Sequence, residues 1–158
     1  MYDLVHQLFE YKNGELYWKV RRGGRAVVGS LAGNTDTHGY RQVKINGIRY
    51  LMHRIIFLMH HGYLPEFIDH IDNDRLNNKI DNLREANRNQ NAFNMRLYKT
   101  NTSGSKGVSW DKNRNKWMVR VGIDGVDKYF GHYEDIELAD LVASEARCKL
   151  HGVFARDF

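Results

Sequence analysis

Residues 66–91 read EFIDHIDNDRLNNKIDNLREANRNQN. Asparagine and aspartate dominate, a composition that ordinarily marks a solvated loop built on side-chain-to-backbone turns. Short apolar runs interrupt it: FID (67–69) and NLREA (82–86) fit short strands, with HIDNDRLNNKID as the loop between them. NRNQNAFNMRL, from Asn87 onward, fits a helix with Asn87 as its N-cap. The expected order is strand, polar loop, strand, helix.

Outward from this stretch, the preceding segment is regular. GYRQVKI (39–45), Asn46-Gly47 and IRYLM (48–52) form the clearest hairpin in the chain, since both arms alternate and Asn-Gly favours a tight turn. HRIIFLMHHG (53–62) then changes to an apolar helix ended by Gly62, with His60 and His61 offsetting the dipole at its last turn. Residues 2–10 fit a short amphipathic helix, and ELYWKV (15–20) a strand entered through the Asn13-Gly14 turn. RRGGRAVVGSLAGN lacks the spacing of a phosphate-binding glycine loop, so no nucleotide cofactor is expected.

Beyond Leu97 the polar, small residues of YKTNTSGSKG mark a linker at about 98–105. They divide the chain into an expected domain of 1–98 and a second of 99–158. The second contains GVSW, KWMVRVGI and VDKYFGHY as three strands. A helix follows from about Glu134 to His151, with Leu138, Val142, Ala146 and Leu150 on one stripe. Such a sheet has one covered and one open face. The fold class is α+β.

The 158 residues, 42% hydrophobic and 27% charged, suffice for modest cores, and the single Cys148, expected to be buried or half-buried, excludes an internal disulfide framework. No signal peptide or membrane span is expected, and a lone cysteine suits a reducing cytosol. The formal net charge of +5 points to a polyanionic partner. From Lys99 to His132 there are seven Lys/Arg against three Asp/Glu, and from Tyr133 to Phe158 three against six. The sheet is therefore basic and the closing helix acidic.

Phosphodiester hydrolysis requires a base that works near neutral pH and a cation that neutralises the phosphate and the departing oxygen. Asp69 and His70, at a strand end where the chain turns, can serve both needs. Asn91 offers a neutral oxygen ligand, and Asn82 can hydrogen-bond across the loop to fix the imidazole. Asp72, Asn73, Asn77 and Asn78 read as ordinary loop residues bonding their own backbone. For His53 two readings stand, an approach to the site or a structural histidine. Trp18 and Trp117 fit either base stacking or core packing.

GYRQVKINGIRYLMHRIIFLMHHG followed by IDHIDNDRLNNKIDNLREANRNQN resembles the HNH endonucleases, specifically the phage and intron-encoded homing branch with a ββα-metal core. The resemblance implies His70 as general base, Asp69 and Asn91 as metal ligands and Asn82 as the residue that orients the base. With Asp and Asn where zinc- or nickel-binding branches carry histidine, it implies one magnesium or manganese ion. Arg54 of the His-Arg helix start becomes a candidate phosphate contact. KGVSWDKNRNKWMVRVGIDGVDKYFGHYEDIELADLVASEARCKLHG resembles the ethylene-response-factor type DNA-binding domain, which also occurs fused to phage HNH nucleases. That implies double-stranded DNA as partner, in a phage-infected bacterial cytoplasm, with Trp110, Lys112, Arg114, Lys116, Arg120 and Lys128 as the expected contacts. Ser109 and Asp111 sit where that family carries arginines, and the first turn holds one extra residue. Two rival readings remain: a non-catalytic DNA-binding regulator with a relic nuclease core, and a protein acting on RNA.

Overall fold

The computed structural model of the chain describes all residues except 25, 95, 96, 98 and 156–158. Tyr98, the expected last residue of the first domain, thus lies outside the described residues. The chain divides into two compact units, Met1–Ala86 and Asn87–Phe158.

In the first unit, α1 (Tyr2–Leu8) leads directly into β1 (Phe9–Lys12), which pairs with β2 (Glu15–Trp18). The helix expected over 2–10 stops at Leu8 because Phe9 is already extended and sits opposite Trp18, ring centroids 4.7 Å apart. Trp18 is thereby a core residue. β3 (Asn34–Thr35), β4 (Arg41–Ile45) and β5 (Ile48–Leu51) make a three-stranded antiparallel sheet. Its hairpin turns at Asn46-Gly47 as expected, with φ of 50° at Asn46. α2 (Met52–His61) follows and ends on Gly62 at φ 77°. It buries Met52, Ile55, Ile56 and Phe57 against Val5, Leu8, Leu16, Val43 and Leu83, so one apolar helix centres the unit's core. β6 (Phe67–His70) and β7 (Leu83–Ala86) close it as an antiparallel pair, joined by a long polar loop with a 3-10 turn at Ile80–Asn82.

The N-terminal hairpin buttresses that loop. The Tyr11 hydroxyl accepts a hydrogen bond from the Ile80 amide at 3.1 Å. The turn residue Gly14, at φ 88°, brings its Cα so close that a Cβ would stand 2.9 Å from the Lys79 backbone nitrogen. No side chain fits there without moving the loop.

The second unit begins with α3 (Arg88–Phe93), capped by Asn87 as expected. The Gln90 amide donates to Asn87 Oδ1 and the Asn87 amide to Gln90 Oε1, both at 2.8 Å, a reciprocal capping box. β8 (Val108–Asp111), β9 (Lys116–Ile123) and β10 (Val126–Tyr133) form an antiparallel sheet in the order β10-β9-β8, covered by α4 (Ile136–His151). Asp135 caps α4 through the Leu138 amide.

Two expectations for α4 need correcting. The helix buries Ala139, Ala143, Ala146 and Arg147, whereas Leu138 is 48% exposed. Small alanines let the helix approach the sheet; of the expected stripe Ala146 is buried and Val142 packs against the core, while Leu138 points away. Cys148, expected to be at least half-buried, is exposed for the same reason.

We predict that Gly14→Ala costs about 1–3 kcal/mol, from a strained left-handed backbone and the Lys79 contact, measured by denaturant unfolding. An unchanged midpoint would show that the hairpin does not press on the loop.

Candidate functional site

Strand β6 ends on the decisive pair. Asp69 and His70 are the last two residues of β6, and both are buried. Asp69 lies directly across from Arg84 on β7, and the guanidinium grips Asp69 Oδ2 through Nε at 2.8 Å and Nη2 at 2.7 Å. His70 lies across from Leu83 and against α2, its ring centroid 5.0 Å from that of His53 in an edge-to-face contact.

The imidazole of His70 is held by Asn78, which is 1% exposed. Asn78 Oδ1 stands 3.0 Å from His70 Nε2, and its Nδ2 donates to the Leu76 carbonyl, which fixes which end of the amide faces the ring. Nε2 therefore carries the proton, and Nδ1 is the basic nitrogen of the neutral ring.

Asn82, expected to orient the imidazole, braces the loop instead. Its Nδ2 donates to Asp72 Oδ1 and to the Asn77 carbonyl, and its Oδ1 accepts from the Asp72 amide. Asp72 also accepts from the Asp74 amide and from Asn77 Nδ2. Desolvation works against its charge, but these hydrogen bonds, with help from His70, outweigh it and hold the carboxyl below its ordinary value. The abundance of Asn and Asp is thus a lattice of side-chain bonds that shapes one irregular loop. Asn78, read from sequence as an ordinary loop residue, is the member that reaches the base.

His53 is 6% exposed, and burial, then the neighbouring His70 and Arg54, pushes its pKa down to about 3. It is a neutral wall beside His70. Arg54 donates to the carbonyls of Pro65 at 3.0 Å and Glu66 at 3.2 Å, so its guanidinium ties α2 to the approach of β6. Tyr40 packs near both imidazoles, 5.6 Å from His53 and 6.3 Å from His70. Arg75 lies over the Tyr40 ring at 4.8 Å and donates to the His38 carbonyl. Arg84, Asn78, Tyr40 and Arg75 were invisible to sequence reasoning, since cross-strand register and loop packing place them.

Asn91 is in α3, within the second unit, where its amide donates to the Asn87 carbonyl. Among the described residues no group of three or more His, Cys, Asp or Glu side chains could hold a metal. The donors that sequence singled out, a carboxylate and a primary amide, are hard oxygen ligands of the kind magnesium and manganese take.

In the second unit, register sorts the basic residues by face. Trp110 pairs with Trp117 and Val108 with Val119, so all four lie on the helix side, as does Lys128 opposite Val121. The open face carries Ser109, Asp111, Lys116, Met118 and Arg120, with Tyr129 opposite Arg120 and His132 opposite Met118. Lys112 and Arg114 project from the β8–β9 turn, where Arg114 Nη1 meets Asp111 Oδ2 at 3.3 Å. Lys116 is paired with Glu134 at 3.1 Å. Of the expected contacts, Lys116 and Arg120 share the open face, while Trp110 and Lys128 do not.

A strand ending in Asp-His, a braced polar loop and a returning strand define an HNH-type domain, and the HNH endonuclease family model matches residues 50–93. The chain is 41% identical over 97 residues to protein 3.8 of Escherichia phage T7, covering 60% of this chain and 79% of that protein, and it belongs to the same family. It is also 33% identical over 107 residues to an uncharacterized HNH endonuclease of Acanthamoeba polyphaga mimivirus, over 66% of this chain and 54% of that protein. No solved structure matches the chain significantly. Among the described residues, no helix is long and apolar enough to cross a membrane.

The low pKa of His53 has a sign. Unfolded, the ring takes a proton near pH 6.5; folded, it stays neutral down to about pH 3. Its contribution to stability is full above pH 6.5 and lost as pH falls, by up to about 1.4 kcal/mol per unit. We therefore expect stability to fall by about 2 kcal/mol from pH 7 to pH 5, and His53→Phe to flatten that slope in denaturant titrations. Parallel curves for the two proteins would contradict it.

Proposed function

We propose that the protein is a metal-dependent endonuclease of the homing type that hydrolyses double-stranded DNA, leaving 5′-phosphate and 3′-hydroxyl ends. The observation that carries this reading is His70 in its Asn78-held tautomer at the end of β6, inside the segment that matches the HNH endonuclease family.

His70 is the general base: Nδ1 takes the proton from the attacking water, while Asn78 holds the ring through Nε2. Asp69, and by the family resemblance Asn91, would hold the cation, one magnesium or manganese ion. When bound, that ion supplies neutralisation of the phosphate and of the leaving oxygen. Arg84 fixes the direction of the Asp69 carboxylate through Oδ2. Asn82 positions the base at one remove, through the loop that carries Asn78. His53 stays neutral beside His70 and adds no competing charge.

Binding and cutting are divided, with the nuclease module over 1–98 and a DNA-binding module of the ethylene-response-factor type over 99–158. Support for the second lies in the open sheet face with Lys116 and Arg120 and in the basic turn with Lys112 and Arg114. Trp110, Lys128 and Arg54 are less well placed for DNA: the first two lie on the helix side and the third is engaged with main-chain carbonyls. A non-catalytic regulator would carry the same basic sheet but has no use for a tautomer-fixed buried histidine. The proposed setting is the cytoplasm of a phage-infected bacterium.

Supercoiled plasmid incubated with the full chain should be nicked or linearised with magnesium and remain intact with a chelator. His70→Ala should lower that rate by about 10²–10⁴-fold and leave DNA affinity unchanged. Cleavage by His70→Ala at the wild-type rate would remove the assignment, and DNA binding without cleavage by the wild type would favour the regulator.

A further inference from the structure

The open face of the β8–β10 sheet carries a hydrogen-bonded chain of three side chains outside the nuclease site. Tyr129 Oη is 2.5 Å from His132 Nδ1, and His132 Nε2 is 2.9 Å from Asp111 Oδ2. The chain spans the sheet, from β10 across β9 to β8. Its geometry depends on one irregularity. Residues three apart on a regular strand face opposite ways, but a bulge at Phe130 adds one residue between Tyr129 and Gly131. Tyr129 and His132 therefore end on the same face. Gly131, at φ 120°, completes the bulge, where a Cβ would meet the Tyr133 ring.

The chain has a direction. Asp111 is desolvated in part, which opposes its charge, but hydrogen bonds from His132, Asn113 and Arg114 overcome this and hold its carboxyl below the ordinary value. An ionised carboxylate only accepts, so His132 Nε2 carries the proton. A neutral imidazole protonated at Nε2 has a bare Nδ1, which only accepts. With His132 in its neutral form, the Tyr129 hydroxyl spends its one proton on the ring. What Tyr129, 57% exposed and directly opposite the exposed Arg120, presents outward is oxygen lone pairs alone.

An acceptor on a DNA-facing surface has few partners. Phosphate oxygens, guanine O6 and N7 and thymine O4 are themselves acceptors and are refused. The exocyclic amino groups of adenine N6 and cytosine N4 are the donors in the major groove. We propose that Tyr129 is a specificity-determining residue, an acceptor fixed by His132 and Asp111 that selects adenine or cytosine over guanine or thymine at one position of the contacted strand. This rests on the proposal that the sheet binds DNA. It also gives a reason for Asp111, a carboxylate on a cationic face where the resembling domains carry an arginine. Arginine there would donate to guanine or phosphate, whereas Asp111 turns the neighbouring chain into an acceptor.

The test uses the full chain in the presence of a chelator, which suppresses cleavage, with a pool of duplexes randomised at the centre. The wild type should enrich an amino base over a keto base at one position. Tyr129→Phe, which keeps the ring, should abolish that preference, a change of about 2- to 10-fold for one neutral hydrogen bond, with other positions and the salt dependence of binding unchanged. Replacing the selected base by its analogue without the amino group should cost the wild type the same factor and Tyr129→Phe nothing. His132→Ala frees the hydroxyl to rotate and should equalise amino and keto bases there. Tyr129→Phe weakening all duplexes alike with a smaller salt slope would mean a phosphate contact and overturn the inference. Unchanged base preferences in Tyr129→Phe would overturn it as well. A wild type without duplex affinity would overturn the DNA-binding reading of the sheet, and this inference with it.

Discussion

Two adjacent polar residues, Asp69 and His70, are both buried at the end of β6, and the first unit is organised around holding them. Asp69 needs a positive partner, because an unpaired buried carboxylate is costly. Arg84 supplies it from the facing strand, which fixes the β6–β7 register: a slip of one residue would turn Arg84 to the other face and leave the carboxylate unpaired. His70 needs an acceptor for Nε2–H, and Asn78 supplies it from a loop that must return to within 3.0 Å. The loop's shape follows from that requirement. Asp72, Asn77 and Asn82 bond one another and the main chain, and the Gly14 turn and Tyr11 press on its far end.

The electrostatics of the two units are separate designs built from the same residue types. Around His70, burial keeps His53 neutral, and Arg84 and Arg54 have fixed partners, Asp69 and two carbonyls. On the sheet of the second unit, a carboxylate and a histidine are joined to tyrosine across three strands, while Lys116 and Arg120 remain on that face. In each case a histidine's protonation sense is set by one hydrogen-bond acceptor: the Asn78 amide in the first, the Asp111 carboxylate in the second. Histidine works as a directional part when one of its nitrogens is already committed.

Much of this was legible in the sequence where local chemistry dictates structure. The Asn-Gly turns, the Gly62 stop, the Asn87 cap and the strand–loop–strand order all depend on residues within a few positions of one another. The spacing of Asp69, His70, Asn82 and Asn91 carried the family. What stayed hidden depends on register and packing. Asn77 and Asn78 are indistinguishable as letters, yet one braces Asp72 and the other meets the base. The pairing of Asp69 with Arg84 is a cross-strand fact. On α4 the expected stripe was right at Val142 and Ala146 but not at Leu138, because Ala139 and Ala143 one position along pack closer to the sheet. The bulge at Phe130, which brings Tyr129 onto His132, has no signal beyond the glycine that follows it.

Asn78 keeps a proton on His70 Nε2 and leaves Nδ1 to work as the base. Long-range nitrogen–proton NMR correlation on the imidazoles of the full chain, with ¹⁵N-labelled histidine at pH 7.5, reads this directly. His70 should show a protonated Nε2 and a pyridine-like Nδ1, and Asn78→Ala should return it to fast exchange between tautomers. A His70 ring protonated at Nδ1, or one already exchanging in the wild type, would contradict the account.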